Sequence, residues 1–364
     1  MIIKEILSHL ESCLPLALQE SYDNCGIQIG DPMQEASGAL LCVDITEEVL
    51  QEAVSKGCNL VIAHHPLLFK GLKSITGKTY IERCVLFAIK QGLVIYSAHT
   101  NADNALGGLN YVLADLFGLN KVTALQPIKN TLIKLVTYVP ETHAEDLRKA
   151  LWDIGAGHIG GYDCCSYNVH GEGTFRAGDG TNPFMGIQGK LHTEKEVCVS
   201  LIMPSYLQPL ALATLLENHP YEEPAYDIIS LCNEWDGAGT GIVGELESEE
   251  DALKFIHHIK HIFQAERVCY STLPHKKVKR VAICGGAGGS FLSAAKRAKA
   301  DVYITGEAKY NDFFDAECKP TLVTVGHYES EIFATKLFNK IISDKFHNFA
   351  IHISQINSNP VNYL

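Results

Sequence analysis

The stretch NLVIAHHPLLF at residues 59–69 runs from four consecutive apolar residues, Leu60–Ala63, straight into His64, His65 and Pro66. Four such residues after the Gly57 turn predict a buried parallel strand. Open α/β sheets gather their ligands at the carboxyl ends of strands, so imidazoles in that place are candidate ligands. Adjacent residues at a strand end leave in different directions, which lets the pair serve two metals. The plain alternative is two loop histidines beside a proline.

The flanking sequence repeats the pattern. Before it, an apolar run at 39–43 leads to Thr46, a helix N-cap candidate followed by Glu47 and Glu48, where the helix dipole favours acids. After it, residues 80–91 read as a helix stopped by Gly92, and the strand at 93–96 opens into SAHTNAD with His99 and Asp103. Far downstream, the strand at 302–305 ends in Gly306-Glu307, and the strand at 321–325 ends in Gly326 and HYESE, which opens a long helix. Four strands therefore end in candidate ligands or polar groups: His64/His65, His99/Asp103, Glu307, and His327/Glu331. If they lie parallel in one sheet, these ends share one edge.

His327 and Glu331 stand at i and i+4 of a helix start and face the same way. Imidazoles with carboxylates suit Zn, Fe, Mn or Ni better than Ca or Mg alone. His64, His65, Asp103, His327 and Glu331 exceed the needs of one four-coordinate ion and fit a dinuclear site, with Asp103 the candidate bridge between ions about 3.5–4 Å apart. With 16 histidines in the chain, some stand at strand ends by chance; His257, His258 and His261 read as an exposed helix face, and His347 and His352 as loop or edge residues.

Three of these five ligand candidates precede a middle region and two follow it, so the site closes only if the flanks form one domain. The expected organisation is α/β: a mixed or parallel sheet layered with helices in a discontinuous main domain (1–125 and 236–364), interrupted by an inserted domain (126–235). The insert reads β-α-β-β-α-β, which predicts a small ferredoxin-like α+β module. Residues 237–244 are glycine-rich, and 285–290 reads as a tight turn that lacks the GK[ST] of a phosphate loop. In HPYEEPAYDI, His219, Glu222 and Glu223 are candidates for contact or sensing, with a structural turn as the simpler reading.

A length of 364 residues suggests two domains, and 46% hydrophobic with 20% charged residues is ordinary globular composition. The formal charge of −12 argues against a nucleic-acid backbone as partner. The N-terminal stretch, broken by Glu5 and Glu11, reads as an amphipathic helix rather than a signal peptide, and no apolar run approaches the roughly 20 residues of a membrane span. Twelve cysteines without a CxxC pair suggest reduced thiols in a cytoplasmic protein; Cys164-Cys165 read as half-buried strand residues rather than a redox pair.

SYDNCGIQIG, HHPLLF, YSAHTNAD with GGLN, the GGAGGS loop, ADVYITGEAKY and VGHYESE together resemble the GTP cyclohydrolase 1 type 2 homologue family, also called interacting-factor-three-like, in its longer bacterial form. The resemblance spans both outer segments, and the insert is similar to the PII and CutA type of fold. It implies two divalent metal ions per chain held by His64, His65, Asp103, His327 and Glu331, a ring-shaped homohexamer with sites facing an internal cavity, and inserts capping the openings. Many relatives carry a histidine after the tyrosine of GEAKY; this chain has Asn311.

Two ions that lower the pKa of water from 15.7 to about 7 supply a nucleophile at neutral pH. His99 is a candidate general base or an orienter of the carboxylate, and Glu307 a proton shuttle or a helix cap. The expected function is a metal-dependent hydrolase acting on a small-molecule or nucleotide substrate: GTP ring opening by the family label, or phosphoester hydrolysis with the same parts. A non-catalytic regulatory or scaffold assembly with a ligand-sensing insert is the alternative.

Overall fold

A computed structural model describes residues 1–274, 276–317 and 319–364. The chain divides into two compact units, one made of residues 1–127 with 237–364 and the other of residues 128–236.

In chain order the first unit opens with β1 (Gly26–Ile29), β2 (Ala39–Cys42), β3 (Leu60–Ala63), β4 (Val94–Ser97) and β5 (Asn120–Pro127). The second unit holds β6 (Leu132–Pro140), β7 (Tyr167–Arg176), β8 (Leu191–Pro204) and β9 (Tyr226–Ser230). The first unit resumes with β10 (Gly239–Asp251), β11 (Cys269–Tyr270), β12 (Lys277–Cys284), β13 (Val302–Thr305), β14 (Thr321–Thr324) and β15 (Ile351–Ile353).

The candidate ligands do not share one sheet, as the simplest reading of the sequence supposed. The first unit contains two, ordered β1-β4-β3-β2-β15 and β11-β14-β13-β12-β10-β5. Apolar runs announce strands but not their partners, and the two sets of parallel strands close into separate sheets. Within each sheet the register aligns the ends. Cys42, Ala63 and Ser97 stand side by side across the parallel strands β2, β3 and β4. Cys284, Thr305 and Thr324 do the same across β12, β13 and β14. Residues just beyond these strands therefore leave each sheet at one edge.

β2, β3 and β4 are buried at every position, consistent with a sheet covered on both faces. The helices Glu47–Ser55 and Tyr80–Gln91 provide the crossovers. Thr46 caps the first by accepting from the Val49 N–H, and Gly92 ends the second at φ 65°. Leu40, Val49, Leu50, Val61, Val85 and Ile95 share one core with them. Around the other sheet, Val243, Ala282, Ala295, Tyr303 and Leu322 form a second core.

A glycine-rich stretch proves to be a strand, and two residues expected in a strand lie outside one. Residues 237–244 enter a 13-residue strand, β10, which pairs antiparallel with β12 on one side and β5 on the other. Gly239 leaves room for the β5 backbone, since a Cβ there would meet the Gln126 carbonyl at 2.3 Å. Cys164 and Cys165 precede β7 instead of lying in a strand; Cys164 is exposed at φ 53° and both thiols are free.

The second unit follows the order β-α-β-β-α-β, with helices Ala144–Asp153 and Gln208–Asn218, in a fully antiparallel sheet ordered β7-β8-β6-β9. Alternate residues of β6 and β8 (Ile133, Leu135, Val139; Val197, Val199, Leu201, Met203) face Leu147, Leu151, Ala211 and Leu215 of the helices. No helix among the described residues is long and apolar enough to cross a membrane.

Candidate metal centre

The strand ends of the first unit's two sheets bring the candidate ligands together. His64 and His65 continue β3 by donating their backbone N–H groups to the carbonyls of Cys42 and Val43. The Ser97 hydroxyl donates to the His64 carbonyl and locks the turn. His64 is fully buried, with Nδ1 2.9 Å from the Ala98 carbonyl. That carbonyl only accepts, so Nδ1 carries the proton and Nε2 keeps its lone pair. Nε2 lies 3.7 Å from Asp103 Oδ1 and 3.7 Å from Glu331 Oε1.

His65 Nδ1 lies 2.7 Å from Asp44 Oδ1, and the Ser358 hydroxyl donates to the other Asp44 oxygen at 2.8 Å. The far nitrogen of His65 is 2.8 Å from Glu331 Oε2 and 3.2 Å from His327 Nε2. His327 Nε2 is 3.0 Å from Glu331 Oε2, while its Nδ1 is 3.1 Å from Glu307 Oε1. Glu307 is largely exposed and Glu331 almost wholly buried.

His99 completes the group. Its Nδ1 is 2.9 Å from Asp23 Oδ1, and its ring lies 5.2 Å from that of His64 and 5.3 Å from that of His65. The Thr100 N–H and hydroxyl and the Cys25 thiol donate to the second Asp23 oxygen. One ligand atom from each of His64, His65 and His99 lies within 4.8 Å of the others, and the same holds for His65, His327 and Glu331. His65 belongs to both triads.

The electrostatics separate the two central carboxylates. Burial pushes Asp103 above the usual carboxylate range, an effect that His64 and His99 only partly offset. Burial pushes Glu331 the same way, but His64, His327 and His65 outweigh it and hold Glu331 well below that range. Burial would lower His65, yet Asp44 and Glu331 raise it to about 10. Burial raises Asp23, but its bonds from His99 and Thr100 bring it well below the ordinary value.

The glycine loop at 285–290 has a different task from a phosphate cradle. Gly286 stands at φ +61°, and a Cβ there would meet Glu331 Oε1 at 2.1 Å. The Gly286 N–H is taken by the Ser330 hydroxyl at 2.9 Å, and its carbonyl accepts from the Glu307 N–H. The loop makes room for Glu331.

The donor chemistry fits a cation. His64 Nε2 and Asp103 Oδ1 are buried 3.7 Å apart without a hydrogen-bond partner among the described residues, while Glu331 Oε2 is shared by the His65 and His327 nitrogens. Buried polar atoms of this kind cost about 1–3 kcal/mol each when nothing pairs with them. Close-set imidazole nitrogens and carboxylate oxygens are what a borderline divalent ion binds.

Reading strand ends alone missed Asp44 and Asp23. Asp44 sits two residues beyond β2, as His65 does beyond β3, so equivalent position was an available signal. Asp23 carries no such mark, because it lies in a turn before β1.

The fold and site define an α/β protein with a candidate His/carboxylate metal centre between two sheets. The chain belongs to the Duf34/NIF3 (NGG1p interacting factor 3) family, whose model matches residues 1–360. It is 34% identical over 364 residues to the GTP cyclohydrolase 1 type 2 homolog of Halalkalibacterium halodurans, covering 99% of this chain and 98% of that one. To the protein of the same name in Bacillus subtilis it is 33% identical over 366 residues, covering 99% and 98%. Among solved structures, a Bacillus cereus protein related to NIF3 aligns with TM-score 0.88 at 36% identity, over 100% of this chain and 99% of that chain. A Staphylococcus aureus protein aligns with TM-score 0.75 at 27% identity, over 100% and 99%.

Proposed function

We propose that the chain is a dinuclear-metal hydrolase acting on a nucleotide-like substrate, with His64, His65, Asp103, His327 and Glu331 as ligands to two divalent ions (Zn, Fe or Mn). The observation that carries this reading is the pair of buried, partnerless atoms on His64 and Asp103 beside the two triads His64/His65/His99 and His65/His327/Glu331. Bound ions would supply Lewis-acid polarisation and an activated water. The protein's own groups do the rest. Ala98 and Asp44 fix the orientation of the His64 and His65 rings. Asp23 fixes His99 by Nδ1, leaving Nε2 free to take or give a proton at the edge of the cluster. Glu307 is exposed and paired with His327, a place from which a carboxylate passes protons to solvent. Asn311 is exposed, and its amide neither takes up nor releases a proton at neutral pH.

The names of the curated relatives favour opening of a guanine nucleotide ring within this class. The wider organisation belongs to the same reading: a discontinuous metal-binding domain, an inserted module of PII/CutA type supported by its β-α-β-β-α-β order, a cytoplasmic location and a homohexameric ring.

The test is metal content per chain in protein purified without affinity tag or chelator, followed by a nucleotide panel with wild type and Asp103→Ala. About two equivalents of metal, with turnover that Asp103→Ala abolishes while assembly persists, is the expected result. Well below one equivalent with no uptake on adding metal back overturns the reading.

A further inference from the structure

The second unit carries a cavity of its own, about 750 Å³, on the face of its sheet opposite the two helices. That volume lies within the range of small-molecule sites, roughly 300–1,000 Å³. Its floor is made by β7 and β8, where Gly171 pairs with Glu196 and Val169 with Cys198. Its walls are aromatic: Phe175 and Phe184 flank Tyr221, with ring centroids 5.9 and 6.4 Å from the tyrosine.

At the floor stands Glu196, a carboxylate only 9% exposed. The Tyr221 hydroxyl donates to its Oε1 at 2.8 Å, which orients the group. Oε2 faces Gly173, where a Cβ would lie 2.0 Å away, so only glycine leaves the carboxylate this position. Burying an ionised carboxylate with one neutral donor costs free energy unless a cation completes it. Glu172, Glu222 and Glu223 add negative charge at the rim against one cationic lining residue, Arg176. Glu222 also ties the rim by accepting from the Asn182 N–H at 3.0 Å.

We infer that this cavity binds a small organic cation, an ammonium group on an aromatic or other apolar body. The ammonium pairs with Glu196, and the body lies among Phe175, Phe184 and Tyr221. Aromatic faces beside a buried carboxylate attract such a cation both electrostatically and by dispersion. The inference is independent of the metal centre and holds whether or not that centre turns over substrate.

The experiment is calorimetric titration of the full-length protein with phenethylamine and tryptamine. The controls are 2-phenylethanol, which keeps the body without the charge, and 3-phenylpropionate, which reverses it. The amines are expected to bind saturably at one per chain, about tenfold or more tighter than the alcohol. Glu196→Gln keeps the shape and the Tyr221 contact and is expected to erase that preference. Phe184→Ala, at a side chain 48% exposed, is expected to weaken the amines while the melting temperature stays unchanged. Absence of saturable amine binding, equal binding of the alcohol, or preference for the propionate overturns the assignment. The last outcome gives the cavity to an anion at Arg176; the first leaves this sheet face to a second copy of the chain.

Discussion

Asp44 Oδ1 stands 2.7 Å from His65 Nδ1, while the opposite nitrogen of the same ring stands 2.8 Å from Glu331 Oε2. The ring is thus gripped from behind and presented to the centre of the site. A carboxylate in that place fixes the tautomer and raises the basicity of the other nitrogen. Asp44→Ala is therefore expected to weaken metal binding about 10–100-fold without changing the number of ions at saturation. Competition against a chromophoric chelator measures this directly. An unchanged affinity would mean that His65 does not depend on Asp44.

The same ring makes metal uptake depend on pH. In the metal-free protein, burial would lower the pKa of His65, but Asp44 and Glu331 raise it from 6.5 to about 10. At about pH 7 the ring is therefore an imidazolium, and a cation must displace its proton. Uptake is expected to release protons, with an enthalpy that scales with buffer ionisation heat, and to tighten as pH rises toward about 10. The stability of the metal-free protein should change in the opposite sense. A raised folded-state pKa contributes stability that is complete below the unfolded value of 6.5 and is lost as pH rises through about 10. Thermal melts of chelator-treated protein across that window test the sign.

Gly286 offers a test that separates backbone strain from loss of the site. Alanine there must adopt φ +61° and drive its Cβ to within 2.1 Å of Glu331 Oε1. Gly92 has a similar φ of +65° but open space where a Cβ would go. Both Gly→Ala changes should cost about 1–2 kcal/mol from the left-handed backbone. Only Gly286→Ala should also displace Glu331 and lower the metal content. Equal metal content in the two variants would show that Glu331 can shift without losing its role.

The difference between these two glycines also shows what the sequence did and did not disclose. Gly92 was legible, because a glycine after a periodic apolar helix predicts a left-handed cap. Gly286 sat in a run that reads as a simple turn; its purpose is a steric relation to a residue far along the chain, which no local pattern encodes. The same division runs through the fold. His64, His65, His99 and His327 were visible because apolar runs end abruptly beside them. The separation of their strands into two sheets was not, because pairing is decided by long-range register. β10 was not legible as a strand because Gly239, Gly241 and Gly244 interrupt its apolar pattern; these glycines admit neighbouring backbone and side chains at close quarters.

Asp23 and His99 form the outermost pair of the cluster, and their role is separable from metal binding. Asp23 Oδ1 is 2.9 Å from His99 Nδ1, and its other oxygen is occupied by Thr100 and Cys25. This holds the proton of His99 on Nδ1 and leaves Nε2 toward the cluster. Asp23→Asn can donate to that nitrogen instead and so favours the opposite tautomer. It is expected to lower kcat about 10–100-fold while the protein keeps its full complement of metal. The nitrogen chemical shifts of the imidazole report the tautomer without reference to turnover. His99→Ala should lose more, and adding Asp23→Asn to it should cost little further, because residues acting as one unit are not additive. If the two losses instead multiply independently, Asp23 acts through Thr100 and the local fold rather than through His99. A melting temperature that falls in Asp23→Asn and in Thr100→Val alike would identify that second route.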